Sequence, residues 1–140
     1  MASVVRRLAG LDGRTIADLA RAAFELGLAR LRLKSRHARA LITAPATETM
    51  SLDRRQVALI ERVAFAIPRV AARLPWRADC LVQALAARRW LGHLGITTTL
   101  TLGVPRDKPA EFEAHAWLTA GTRIVTGGDI SGYVPLVRPR

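Results

Sequence analysis

The chain has 140 residues, half of them hydrophobic, and a formal net charge of +11 from 22 Lys and Arg against 11 Asp and Glu. That length suits a single domain, 1–140, with a real core, and the composition excludes a disordered chain. One cysteine excludes an internal disulfide, and no apolar run approaches the ~20 residues needed to span a bilayer.

The start, Met1-Ala2-Ser3-Val4-Val5-Arg6-Arg7, lacks the apolar stretch of a signal peptide, so a cytoplasmic protein is expected. Residues 14–36 read as a helix. Arg14, Asp18, Arg21, Glu25, Arg32 and Arg36 recur along one side, and Ile16, Leu19, Ala20, Ala23, Leu28 and Leu31 take much of the other. Thr43-Ala44-Pro45-Ala46-Thr47 reads as a linker. Ser51 is the expected N-cap of a second helix, with Leu52, Ile60, Val63, Ala64 and Ile67 as its inner stripe. Pro68 either kinks this helix or ends it. The helical part runs over 1–73.

A third helix is expected over about 79–94, capped by Asp79 and stopped by Gly95. Its apolar residues, from Leu81 and Val82 to Trp90 and Leu94, lie nearly all round, the pattern of a buried helix. The texture then changes. Ile96 to Val104 is β-branched and largely alternating, a strand. Pro105 to Ala110 is a loop, 112–118 a second strand, and Ala120-Gly121 a hairpin turn into a third strand, 122–126. Tyr133 to Val137 suits a last strand. The fold class is α+β: N-terminal helices, a buried helix, then an antiparallel β-meander.

Cys80, the only cysteine, stands at the start of that buried helix. There, unpaired backbone N–H groups and the positive end of the helix dipole favour a thiolate and can hold a developing oxyanion. Asp79 opposes the thiolate unless its carboxylate turns back to cap the helix. An inert buried thiol is the competing reading. A nucleophile needs a base. His37 lies in a cationic stretch, Ser35-Arg36-His37-Ala38-Arg39, and His93 lies 13 residues along the same helix as Cys80, about 20 Å away. His115, 35 residues after Cys80, is free to fold back onto it. A third group should orient the imidazole. With a turn at Ala120-Gly121, Thr119 faces Thr122 and His115 faces Thr126. A bulge at Gly127-Gly128 then swings Asp129 back toward His115. Glu113, on the same strand face as His115, is the rival, and Asp107 and Glu111 are less constrained. The cysteine and histidine spacing gives no zinc site and the glycines match no phosphate-binding loop, so no metal or cofactor is expected.

Cys80, His115 and Asp129, in that order, resemble the core of transglutaminase-like cysteine peptidases, which is papain-like. The flanks CLVQALAARRWLGHLGITTTLTLGV and EFEAHAWLTAGTRIVTGG are similar to those of the leader peptidases of lasso-peptide biosynthesis, over residues 76–137. The resemblance implies a catalytic core there with Cys80, His115 and Asp129 as its triad. It implies removal of the leader from a ribosomally made precursor peptide. It also implies a separate leader-binding recognition element and a macrolactam cyclase that resembles asparagine synthetase. In this family the triad acid is expected about 12 residues after the histidine, where this chain has Gly127. The same triad would also serve a transglutaminase or acyltransferase. The positive charge alone supports a third reading, a basic helical module on nucleic acid, with no recognised nucleic-acid motif beside it. An Arg-rich, Lys-poor, Ala-rich composition also follows from a high-GC genome.

Overall fold

The computed structural model describes residues 9–34, 51–107 and 114–136. The expected linker at 43–47, His37, Glu111 and Glu113 lie outside them. Helix α1 spans Gly13–Lys34, α2 Arg54–Ala71 and α3 Cys80–His93. Strands β1 (Thr99–Pro105), β2 (His115–Ala120), β3 (Arg123–Thr126) and β4 (Tyr133–Pro135) form one antiparallel sheet in the order β3-β2-β1-β4. The first three strands make the expected meander. The fourth returns to the far edge and pairs with β1. Among the described residues, α2 and α3 pack on a four-stranded antiparallel sheet and α1 packs on those two helices, an α+β fold in which no helix is long and apolar enough to cross a membrane.

Helix α1 turns out of the phase expected for it. Ala22, Leu26 and Ala29 face the core, whereas Ile16 is 41% and Leu31 67% exposed. Asp18 and Glu25 are buried with that inner face. Each has a partner across a helix interface. Arg62 of α2 grips Asp18 through two bonds, at 2.8 and 2.6 Å. Glu25 accepts from Arg21 and from Arg89 of α3, both at 2.7 Å. A stripe of charges therefore looks outward by hydropathy and lies inward because each carboxylate meets a guanidinium.

Helix α2 begins at Asp53, not Ser51. Asp53 and Gln56 form a capping box, each side chain bonding the other's backbone N–H, at 2.7 and 3.0 Å. Pro68 neither ends the helix nor is followed by a break, since α2 runs on to Ala71. Ile60, Val63, Ala66 and Ile67 carry the inner stripe. Helix α3 supplies Ala84, Ala86, Ala87 and Leu91 to the core, all fully buried, and its small side chains let α1, α2 and the sheet approach closely. Gly95, at φ 76°, closes it and lets Ile96 N–H reach back to Leu91 O at 3.0 Å.

Candidate active site

The first turn of α3 presents Cys80. Asp79 caps the helix, its side chain accepting from Val82 N–H at 3.1 Å, so its carboxylate turns to the backbone. Among the described residues, no acceptor engages the backbone N–H groups of Cys80 and Leu81, which leaves the start of the helix open to an anion. Gln83 donates to Ala78 O at 3.0 Å and fixes the chain entering this turn. The sulfur meets strand β2 edge-on: Ala116 N–H donates to Cys80 Sγ at 3.4 Å.

That contact brings His115, the neighbour of Ala116, to the same place. Cys80 and His115 both line each of two grooves. The first also has Arg77, Leu102 and Tyr133 in its wall, and the second Pro68, Gln83, Thr126 and Gly127. His93 is exposed at the other end of α3 and touches neither groove.

The imidazole is held on two sides. Its Nε2 lies 2.7 Å from Gly127 O. A carbonyl oxygen only accepts, so Nε2 carries the proton and Nδ1 is the nitrogen left to take one. Its face stacks on Tyr133, with ring centroids 4.6 Å apart and planes 30° from parallel. Trp117 lies further off, at 6.1 Å.

Why Gly127 reaches the ring follows from the hairpin. The tight turn is Gly121-Thr122, with Ala120 paired to Arg123, because Gly121 takes the left-handed φ of 57° that such turns need. Thr119 then pairs with Ile124 and Leu118 with Thr126, so the irregularity falls at Val125, two residues before the expected bulge. Thr126 consequently sits beside Leu118 and not beside His115. Gly127 follows at φ 110° and presses against Trp117: a Cβ there would lie 2.4 Å from Trp117 Cβ. Only glycine fits this approach, and the approach aims the carbonyl at His115.

Asp129 lies beyond, on the exposed turn that leads to β4. Its Oδ1 accepts from Ser131 N–H at 2.9 Å, and its carboxylate makes no hydrogen bond to His115. The Ser131 backbone N–H, helped by the Ser131 side chain, holds the Asp129 carboxyl below the usual carboxylate range. The structure thus brings Cys80 and His115 together, and it places Gly127 O at the position expected of an acid. Gly127 O, Tyr133 and the Ala116 N–H are the site features that the sequence reading did not assign. The glycine's spacing of 12 from His115 was the one available signal for the first. Among the described residues no group of His, Cys, Asp or Glu is placed to hold a metal ion.

A family model described as Transglutaminase-like superfamily matches residues 19–138. No curated protein and no solved structure matches the chain.

Proposed function

Because the chain belongs to the transglutaminase-like superfamily, which comprises cysteine peptidases and transglutaminases, we propose that it is a cysteine endopeptidase that cuts the leader from a ribosomally made precursor of the lasso-peptide kind. The observation that carries the reading is that Cys80, at an open helix start, lines the same two grooves as an imidazole tied through Nε2 to Gly127 O.

The chemistry follows from those atoms. His115 Nδ1 takes the Cys80 proton, and the thiolate attacks the carbonyl carbon at the leader–core junction. The Cys80 N–H, with the helix dipole behind it, holds the oxyanion. His115 returns the proton to the departing amine of the core peptide, leaving the leader as a thioester on Cys80. Water, deprotonated by His115, then attacks the thioester and releases the leader carboxylate and the free thiol. The Ala116 N–H steadies the sulfur whenever it is anionic.

A separate leader-binding protein delivers the precursor, and a cyclase closes the macrolactam. The net charge of +11 suits carboxylates on the leader, on its carrier or on both, and the proposed cytoplasmic location fits such a pathway. The test mixes the purified protein, a candidate leader-binding protein and the precursor, and reads masses over time. Cleavage should be far faster with the leader-binding protein present, and the gain should shrink as salt rises, since such fields are screened within about 8–10 Å. Equal rates on leader-bearing and leaderless substrates would remove the leader-peptidase reading. An added amine captured in place of water would reassign the protein as an acyltransferase.

A further inference from the structure

We infer that Tyr133 is a positioning residue for this chemistry: its ring is the platform on which the His115 imidazole rests, and it favours the imidazolium that forms when Cys80 gives up its proton. The inference rests on the reading of Cys80 and His115 as nucleophile and base. The imidazole has an edge and a face to satisfy. Its edge is bonded to Gly127 O, a neutral acceptor that fixes the tautomer. Its face lies on Tyr133 at 4.6 Å, a stacked arrangement well inside the ~6 Å at which an aromatic face attracts a cation. No carboxylate among the described residues bonds the ring, so the ring face of Tyr133 supplies stabilisation that an acid would otherwise give.

The fold delivers Tyr133 to that place by several independent ties. It begins β4, the edge strand beyond β1, opposite Pro105. Its N–H donates to Ile130 O at 3.0 Å, closing the turn whose other bond is Asp129 Oδ1 to Ser131 N–H. Arg106 N–H holds the same turn at Gly132 O, at 2.8 Å. Gly103, which pairs with His115, leaves space that the Trp117 ring occupies: a Cβ there would lie 2.6 Å from two of its atoms. With the indole laid over Gly103, the Tyr133 ring meets the imidazole directly.

Alkylation of Cys80 by iodoacetamide at neutral pH isolates this effect. The chain holds one cysteine, so labelling reads one site, and the reagent is too small to need the peptide groove that Tyr133 also lines. Tyr133→Leu should slow labelling roughly two- to tenfold, and Tyr133→Phe should restore most of the loss because it keeps the ring face. In peptide cleavage the leucine variant should lose more in kcat than it gains in KM. Thermal melting checks that each variant is folded, and Tyr133→Met replaces the leucine variant if that one is not. His115→Ala is the control. Slower labelling in His115→Ala with no change in Tyr133→Leu overturns the platform and leaves the nucleophile–base pair standing. Equal losses in the Phe and Leu variants overturn it too, because the hydroxyl and not the ring face would then matter. Labelling indifferent to loss of the imidazole overturns both readings.

Discussion

Helices α1 and α3 make opposite use of polar groups. Helix α1 carries its charge inward: Asp18 and Glu25 are buried, and each grips an arginine of a neighbouring helix. Helix α3 buries alanine, leucine and tryptophan along its length and concentrates its chemistry at its first residue, where the core ends and the grooves begin. The lesson is that burial of a charge and readiness to react are separate properties here. The buried carboxylates are fully partnered and hold helices together. The proposed reactive groups, Cys80 and His115, are half-buried and line the grooves.

Substitutions can break that division. Cys80→Ala should abolish cleavage and labelling while the melting temperature stays close to the parent's. His115→Ala should cost at least about 10²-fold in turnover. His93→Ala, at the exposed end of the same helix, should turn over like the parent. A dead His93 variant would show that the base is not where the fold puts it.

Glu25→Ala tests the other side. Removing the buried carboxylate unties Arg21 and Arg89, whose side chains are 40% and 26% exposed and so regain water, and should cost about 1–3 kcal/mol of stability, read by denaturant unfolding. Turnover of the fraction that stays folded should hold. A folded Glu25 variant that cannot cleave would join the two regions that the structure keeps apart.

Gly127→Ala falls between the two. Its Cβ would collide with Trp117 at 2.4 Å in a backbone conformation that favours glycine, so about 1–3 kcal/mol of stability should be lost. Turnover should fall with it, because the carbonyl is displaced from His115. A stable, fully active alanine variant would show that Gly127 O does not hold the imidazole.

The smallest effect sharpens the role of Asp129. A triad carboxylate replaced by Asn leaves the base misoriented and costs far more than a few-fold. A turn carboxylate replaced by Asn keeps an oxygen for Ser131 N–H, so Asp129→Asn should lose little and Asp129→Ala should lose a few-fold more. Acid gives the same contrast. The folded carboxyl titrates below its usual value, so its contribution to the turn is complete above about pH 4 and is lost as pH falls through the lowered value. The amide of Ser131, followed by NMR, should shift in that range in the parent and not in Asp129→Asn. A large loss of turnover in Asp129→Asn would restore the acid to the triad.

These regions also differ in how far they could be read from sequence. The third helix, its Asp79 cap and its Gly95 stop were legible because capping and chain reversal are local, and glycine and aspartate announce them. The strands were legible from alternation to within a few residues. The rotation of α1 was not, because hydropathy ranks Asp18 and Glu25 as outward-facing and cannot see Arg62 or Arg89, which lie 44 and 64 residues away. Cys80 and His115 were legible as residue types in a suggestive order. The acceptor of the imidazole was not, because a main-chain oxygen has no letter in a sequence. Among side chains the sequence offered Asp129 and Glu113, with Asp107 and Glu111 less constrained. The position of β4 against β1, and with it Tyr133, depends on a return across the sheet that no local pattern records.

The bond from His115 to Gly127 O has an evolutionary side. Every amino acid carries a main-chain carbonyl, so no single codon change deletes this oxygen, whereas one change removes an aspartate. What point mutation can remove is the bend that aims it. The inheritance of this contact thus passes through shape: it tolerates drift in the chemical identity of nearby side chains and depends on one residue staying as small as a residue can be.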